Sequence, residues 1–156
     1  MGKIYTSVDQ LVGNTPLLEL TNIEKKLGLS AKIFAKLEYF NPAGSVKDRV
    51  AKQILDDAVE RGVLNENSTI IEPTSGNTGI GIASVAASRG YKVIIVMPET
   101  MSVERRTLMK AYGAELVLTP GIDGMGGAVK KAKSSAHSIV RQSINGYSSL
   151  TAQVEE

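Results

Sequence analysis

The stretch "TIIEPTSGNTGIGIASVAASRGYKVIIVMP", residues 69–98, decides the fold. It opens with a short β-branched run at 69–72 and closes with a second apolar run at 91–97, both of strand length. Between the two runs, a turn of small polar residues leads into a helical pattern over about 78–88, which Gly90 ends. A strand, a helix and a second strand in this order predict a βαβ unit with parallel strands.

The same alternation continues on both sides of this unit. Upstream, the spacing predicts a helix over 46–61 that ends at Gly62 and carries one apolar face: Val46, Val50, Ile54, Leu55 and Ala58. Downstream, Ser102 caps a further predicted helix, and "AELVLT" at 114–119 follows as a strand. Strands near 70, 94 and 117 recur at about two dozen residues, the length of a βαβ crossover. The sequence therefore predicts an α/β fold with a parallel sheet, βαβ crossovers and helices on both faces.

The two ends of the chain differ in pattern. Near the start, "GNTPLLEL" predicts a turn and a short strand, and residues 31–38 predict a further strand, so we expect this region to belong to the fold. From Ser134 the chain is rich in serine, with weak helical periodicity to about Gln142. We expect 134–156 to be a loosely ordered tail, and 1–133 to be one folding unit with a small α/β domain at roughly 40–133.

Composition narrows the class of protein. Apolar residues make up 42% of the 156 residues and charged residues 22%, with a net charge of +2 and no basic stripe, which argues against a nucleic-acid partner. No apolar run approaches the ~20 residues that span a bilayer, and the first residues do not resemble a targeting signal. One histidine and no cysteine argue against a metal site. We expect a cytoplasmic protein.

Lys47, in "AGSVKDR", is the first candidate for chemistry. Ser45 is a favoured N-cap and Asp48 stands where a capping box places its acid, so Lys47 falls in the first turn of a helix. A cation there is disfavoured by about 0.3–1 kcal/mol. The helix end and partial burial both favour the neutral amine that attacks a carbonyl. The alternative is a solvated surface lysine whose charge Asp48 and Glu38 offset.

The loop "PTSGNTG", residues 73–79, is the second candidate. It lies at the carboxyl end of a predicted parallel strand, where open α/β sheets bind ligands. Thr74, Ser75, Asn77 and Thr78 supply hydroxyl and amide groups, and free N–H groups at the helix start suit a carboxylate or phosphate. The alternative is a well-capped βα turn, which uses the same residue types.

Two other glycine patterns are weaker. Gly79-Ile-Gly81 approaches the dinucleotide fingerprint, but the glycines fall inside the predicted helix, where they favour close packing on the sheet. Nucleotide binding is therefore a minor alternative. "PGIDGMGGA", residues 120–128, follows a strand and precedes a helix. It fits a phosphate cradle, although a flexible surface connection suits the same pattern better.

The lysine and loop motifs together resemble one family. "NPAGSVKDR" and "EPTSGNTG", with "VGNTPLLEL", "GYKVIIVMPETMSVERR" and "AYGAELVLTPG" in the same order, are similar to cysteine synthase, the O-acetylserine sulfhydrylase of the fold-type II pyridoxal-phosphate enzymes. The resemblance covers about residues 4–133. It implies the N-terminal part of an enzyme that replaces the acetate of O-acetylserine by sulfide, with a homodimer as the full-length assembly.

Carried over residue by residue, the resemblance assigns roles within the site. It implies that Lys47 is the catalytic residue and forms the Schiff base with pyridoxal 5'-phosphate, and that Asn77 contacts the ring hydroxyl of the cofactor. It also implies that the substrate carboxylate is held by the loop residues, namely Thr74, Ser75, Gly76, Asn77 and Thr78. No metal is implied.

The resemblance also sets limits. Family members run to about twice this length, and their phosphate cup and the serine at the pyridine nitrogen lie in the later half. We therefore expect these 156 residues to carry the lysine and the carboxylate loop without the full set of cofactor contacts. Two alternatives stay open: a cystathionine β-synthase-like replacement with homocysteine as acceptor, and a non-catalytic interaction fragment whose sheet edge pairs with a partner.

Overall fold

The computed structural model describes residues 3–142, and side chains within residues 3–136. In this range the chain forms short 3-10 turns, five α-helices and five strands. The strands are β1 (Leu17–Glu19), β2 (Phe34–Lys36), β3 (Thr69–Pro73), β4 (Lys92–Pro98) and β5 (Glu115–Thr119). The helices are α1 (Thr21–Leu27), α2 (Lys47–Glu60), α3 (Asn77–Arg89), α4 (Val103–Ala111) and α5 (Gly124–Gln142).

Three strands form a parallel sheet in the order β3, β4, β5. Ile71 lies opposite Ile94, and Val96 lies opposite Val117. The predicted α/β fold with a parallel sheet is confirmed, and most predicted strand and helix ends agree with the structure to within one or two residues. The predicted cap of α4 is also confirmed, because Ser102 Oγ accepts the N–H of Arg105 at 3.4 Å.

Helices cover both faces of this sheet, as predicted. On one face α2, α3 and α4 pack over a core whose largest members include Leu55, Ile70, Ile82, Ile95, Met97 and Met109. On the other face α5 lays a stripe of alanines against the strands: Ala128, Ala132 and Ala136. The small side chains of this stripe let α5 lie close to the sheet.

The buried face of α2 differs from the prediction. Val46 and Val50, expected in the core, are 47% and 39% exposed, whereas Ala51 is fully buried together with Leu55. Ala51 faces Gly81 of α3, where a close helix crossing admits only small side chains. The prediction followed the spacing of apolar residues and was right for Leu55 and Ala58, but it missed that the crossing puts Ala51 on the buried face.

The N-terminal region carries little core of its own. β1 and β2 pair antiparallel in a separate two-stranded sheet, and the strand predicted over 31–38 is shortened to three residues. Helix α1 was not predicted. Among residues 3–40, Thr15 alone is buried. Arg89, at the end of α3, ties this region down through an ion pair with Asp9 at 2.7 Å.

The C-terminal helix continues to Gln142, where the predicted weak helix was expected to end. The rest of the predicted tail, residues 143–156, lies outside the described residues. Across residues 3–142, no helix combines the length and the apolar character that a membrane span requires.

The crossing of α2 and α3 gives a stability prediction at Gly81. A Cβ added there would lie 3.0 Å from the carbonyl oxygen of Lys47 and 3.2 Å from Cβ of Ala51. Although alanine favours a helix, we expect Gly81→Ala to lower the unfolding free energy by about 1–2 kcal/mol, because the added methyl group forces the helices apart. Urea denaturation measures the change.

Gly126 provides the matched control, since it lies inside α5 and a Cβ there meets nothing within 4 Å. Gly126→Ala should leave stability unchanged or raise it slightly. Equal stability changes in the two variants would show that the crossing is not tight.

Candidate active site

Lys47 is the first residue of α2, and the turn before it is fixed by two side chains. Ser45 Oγ accepts the N–H of Lys47 at 3.1 Å, and the buried carboxylate of Asp48 accepts the N–H of Ala43 at 2.6 Å. Burial raises the pKa of Asp48, and the hydrogen bond from Ala43 opposes that shift. The acid thus closes the turn over Ala43, and the structure assigns the helix N-cap to Val46 rather than to Ser45.

The environment of Lys47 corrects two expectations. Its side chain is exposed, so the partial burial expected from the sequence is wrong. Glu38 does not offset its charge, because Arg49 binds that carboxylate through Nε at 3.0 Å and Nη2 at 3.1 Å. Among residues 3–136, the amine of Lys47 has no hydrogen bond or ion pair. It is a primary amine free to react at the start of a helix.

The Glu38–Arg49 pair anchors the start of α2 to the N-terminal region. Arg49 Nη2 also donates to Thr15 Oγ1 at 3.0 Å, and Asn41 Nδ2 donates to Glu38 Oε2 at 2.7 Å. The hydrogen bond from Arg49, helped by those from Asn41 and Thr15, lowers the pKa of Glu38 to about 2. The carboxylate therefore remains ionised, and the anchor remains formed, well into the acid range.

The loop at 73–79 places unpaired donors at the start of α3. The N–H of Thr74 donates to the carbonyl of Val96 at 3.0 Å, which fixes the loop to the end of β4. Gly76 is the N-cap of α3, and no side chain caps this helix. Within the described residues, the backbone N–H groups of Asn77 and Thr78 have no hydrogen-bond acceptor, and neither do the side chains of Ser75, Asn77 and Thr78. The interpretation as a capped turn is therefore wrong, and an anion can use these donors.

Gly81 brings the loop and the lysine together. It lies one turn beyond Asn77, and a Cβ there would contact the carbonyl oxygen of Lys47, so the start of α2 lies beside the second turn of α3. Both glycines lie inside α3, as predicted. The expected packing on the sheet is wrong, because Gly81 faces α2 and Gly79 faces Thr74 and Met109. A dinucleotide turn is thereby excluded at Gly79-Ile-Gly81, because these glycines are helical.

Two residues near the loop were missed in the sequence. Arg105, in the first turn of α4, donates from Nη1 to the carbonyl of Ser75 at 3.2 Å and so braces the loop from outside. Glu72 is the second-to-last residue of β3, and burial raises its pKa to about 7. A charged residue inside a predicted strand was a usable signal for Glu72. The contact of Arg105 joins residues 30 positions apart and leaves no local signal.

The third glycine-rich segment, 120–128, is largely helical. A 3-10 turn at Gly121–Asp123 leads directly into α5 at Gly124, and the N–H of Gly121 donates to Glu99 Oε1 at 3.1 Å. Most of this segment is therefore helical, and the flexible surface connection expected from the sequence is wrong for that part. A groove beside it is lined by residues that include Asp123, Lys130 and Lys131.

Comparison with known proteins agrees with this arrangement. The sequence model of the family described as "Pyridoxal-phosphate dependent enzyme" matches residues 8–152. The chain is 54% identical over 139 residues to the "Probable cysteine synthase" of Bacillus subtilis (strain 168), covering 89% of this chain and 44% of that protein. The chain belongs to the family of pyridoxal-phosphate dependent enzymes, whose cofactor is pyridoxal 5'-phosphate.

Solved structures agree in fold. The cysteine synthase of Entamoeba histolytica superposes with a TM-score of 0.82 at 43% identity, over 95% of this chain and 43% of that one. The O-acetylserine dependent cystathionine beta-synthase of Helicobacter pylori gives 0.78 at 42% identity, over 88% and 45%. These neighbours confirm the predicted fold-type II architecture. The chain spans less than half the length of each of these relatives, and the matched part is N-terminal.

The open N–H groups of α3 give a prediction at Asn77, the first residue of that helix. Asn77→Asp should raise the unfolding free energy by about 0.3–1 kcal/mol, because a carboxylate there meets the positive helix end. The same charge should weaken the binding of O-acetylserine or acetate. NMR titration of the amides of residues 75–78 measures this binding. Asn67→Asp, a charge change in a turn remote from any helix start, should do neither. A loss of stability in Asn77→Asp would contradict the conclusion that the N–H groups at the start of α3 have no acceptor.

The half-buried Glu72 gives a pH prediction. Its folded pKa of about 7 lies above the value of 4.5 for a free side chain, so the folded state holds a proton that the unfolded state releases. Stability should therefore fall as the pH rises from 5 to 8, and Glu72→Gln should remove that fall. Denaturation at both pH values should show the variant gaining about 2 kcal/mol relative to the wild type at pH 8. A constant difference would disprove the shift.

Proposed function

We propose that this chain supplies the lysine and the carboxylate loop of a cysteine synthase site, which converts O-acetylserine and sulfide into cysteine and acetate. One observation carries the proposal. Lys47, whose amine is unpaired in the described residues, begins α2 beside the second turn of α3, one turn from the unpaired donors of the 73–79 loop. The relatives called cysteine synthase support the same activity.

The donor set fits pyridoxal phosphate and an amino-acid substrate. When bound, the cofactor supplies an aldehyde that condenses with amines and a ring that accepts an electron pair from the substrate Cα. Lys47 Nζ is the amine for the first task. The side chain of Asn77, exposed and without an intramolecular partner, can hydrogen-bond the ring hydroxyl.

The loop holds the substrate by its α-carboxylate. The N–H groups of Asn77 and Thr78 and the hydroxyls of Ser75 and Thr78 donate to it, Thr74 fixes the loop to the sheet, and Gly76 lets the backbone approach closely. Held in this way, the substrate presents its Cα–H bond to Lys47 Nζ, which takes the proton. Acetate leaves Cβ with the bonding electron pair, sulfide forms the new Cβ–S bond, and Lys47 returns the proton to Cα.

The family context adds three further parts to the proposal. We carry over a homodimer as the full-length assembly, the cytoplasm as the compartment, and no nucleic-acid partner. The similarity to the Helicobacter pylori enzyme keeps homocysteine as the alternative acceptor. Product analysis with each thiol, by mass spectrometry, separates cysteine from cystathionine.

Lys47 gives the direct test of the proposal. After incubation with pyridoxal phosphate and reduction by borohydride, peptide mass spectrometry should locate the cofactor on Lys47. Lys47→Ala and Lys47→Arg should both lose this label, because neither side chain forms the bond to the aldehyde. Lys110→Ala, at an exposed lysine of α4, should keep it. A label spread over surface lysines and unchanged in Lys47→Ala would refute the site.

A further inference from the structure

A groove of about 490 Å³ lies where strand β5 ends and helix α5 begins, and the proposed cysteine synthase chemistry does not use it. The residues that line this β5–α5 groove include Thr119 at the end of β5, Asp123 just before α5, Gly126 in its first turn, and Lys130 and Lys131 about one turn further along. Its volume falls within the range of ~300–1,000 Å³ that is typical of small-molecule sites. The groove also lies at the carboxyl end of a parallel strand, where open α/β sheets bind ligands.

Thr119 has a buried hydroxyl group that makes no hydrogen bond. Its side chain points to the α5 side of the sheet, because Val117, two residues earlier on β5, packs against the alanines of α5. Thr119 is 7% exposed, and its Oγ1 has no hydrogen-bond partner among the described residues. Buried polar groups are nearly always paired, so a lone hydroxyl at the wall of a groove calls for an explanation. A ligand with an acceptor oxygen provides the missing partner.

The start of α5 supplies further donors. The carbonyl of Gly121 accepts the N–H of Gly124. The next two N–H groups, those of Met125 and Gly126, have no acceptor in residues 3–136. A Cβ at Gly126 would meet nothing within 4 Å, so the backbone is open there. Because α5 is a helix of 19 residues, its positive end favours an anion beside these N–H groups.

Two lysines add positive charge to the same groove. The side chains of Lys130 and Lys131 are exposed, and within residues 3–136 neither ammonium group has a hydrogen bond or an ion pair. Asp123 is the one acidic residue among the described residues that line the groove. Its Oδ2 lies 3.5 Å from the place that a Cβ of Gly127 would take, so the carboxylate lies beside the first turn of α5. The groove therefore combines several donors and a net positive charge with one strong acceptor.

We propose that the β5–α5 groove binds a phosphate monoester whose organic part carries a hydroxyl group. The two ammonium groups match the charge of about −1.5 to −2 that such a phosphate carries at pH 7. The N–H groups of Met125 and Gly126 and the hydroxyl of Thr119 donate to the phosphate oxygens. Asp123 accepts the hydroxyl of the organic part. The glycine-rich pattern at 120–128, which fits a phosphate cradle, belongs to this groove.

The size of the groove and its acid favour the ester over inorganic phosphate. A phosphate ion fills only a small part of about 490 Å³, and the remaining space lies open for an organic group. The carboxylate of Asp123 also weakens the attraction for a bare anion, whereas a hydroxyl group on the ester gives that carboxylate a hydrogen bond.

NMR titration of the whole chain tests the proposal. Glycerol 3-phosphate is the probe, added at low chloride concentration, and inorganic phosphate and glycerol are the comparison ligands. We expect glycerol 3-phosphate to shift the amides of Met125 and Gly126 saturably and to bind at least threefold more tightly than inorganic phosphate. Glycerol should cause no shift. Absence of a saturable shift would overturn the proposal, and equal binding of the two phosphates would show an adventitious ion only.

The lysines are tested as a pair. Lys130→Gln combined with Lys131→Gln should weaken the binding of glycerol 3-phosphate at least tenfold, because it removes both cations. The matched control is Lys25→Gln combined with Lys26→Gln, an adjacent exposed pair in the last turn of α1, which changes the net charge by the same amount. This control should keep the affinity within twofold of the wild type. An equal loss in both double variants would show non-specific attraction and contradict the groove as a site.

Thr119→Val separates a ligand-binding hydroxyl from a structural one. The two side chains have nearly the same shape, and the hydroxyl has no partner to lose in the described residues. We expect a thermal stability equal to that of the wild type or higher, together with at least threefold weaker binding of glycerol 3-phosphate. Thr119→Ser keeps the hydroxyl and should keep the affinity. Unchanged affinity in Thr119→Val, or an equal loss in Thr119→Ser, would refute the role of this hydroxyl.

The groove proposal stands apart from the Lys47 chemistry. The groove shares no residue with the 73–79 loop. Asn77→Asp should therefore bind glycerol 3-phosphate as the wild type does, and Lys47→Ala should do the same. Shifts confined to the amides of residues 75–78 would place the phosphate at the loop and overturn the groove as its site. Conversely, the borohydride label is read on Lys47 itself, whether or not the groove binds a phosphate.

Discussion

The contact between Gly81 and the carbonyl of Lys47 is the constraint on which the rest of the structure depends. With no side chain at Gly81, α3 approaches the first turn of α2 to van der Waals distance, and Ala51 completes the small-residue patch at the crossing. The crossing places Ala51 rather than Val50 on the buried face of α2, together with Leu55, and leaves Val46 and Val50 exposed by 47% and 39%. It also places the start of α2 beside the second turn of α3, one turn from the 73–79 loop.

This convergence has an electrostatic consequence. The positive end of α3 lies one turn from the contact with α2, and its free N–H groups add donors that have no acceptor in the described residues. An anion is favoured at such a place, which suits the carboxylate of an amino acid. Arg105 adds positive charge at the rim, where it donates to the carbonyl of Ser75.

Local patterns were enough to predict the sheet and the position of the site. Alternating strand and helix periods, ended by glycine and proline, fixed β3, α3 and β4 to within a residue or two, and the motif loop fell at the strand end as expected. The local pattern failed to predict the features that depend on contacts between residues distant in the sequence. The buried face of α2 depends on Gly81, the partner of Glu38 is Arg49 rather than Lys47, and the brace from Arg105 lies 30 residues away. Helix α1 was missed because its seven residues bury nothing, so no apolar period marks them.

The exposed lysine and the N-terminal region are connected through one ion pair, between Arg49 and Glu38. Glu38 belongs to the same turn as Tyr39 and Phe40, and its forked bond to Arg49 reaches the first turn of α2, two residues from Lys47. Because the pKa of Glu38 lies far below neutrality, that bond persists over the whole physiological range. The turn at Glu38–Phe40 and the first turn of α2 therefore keep a fixed relation to each other. The position of the exposed lysine depends on this ion pair in addition to the crossing of α2 and α3.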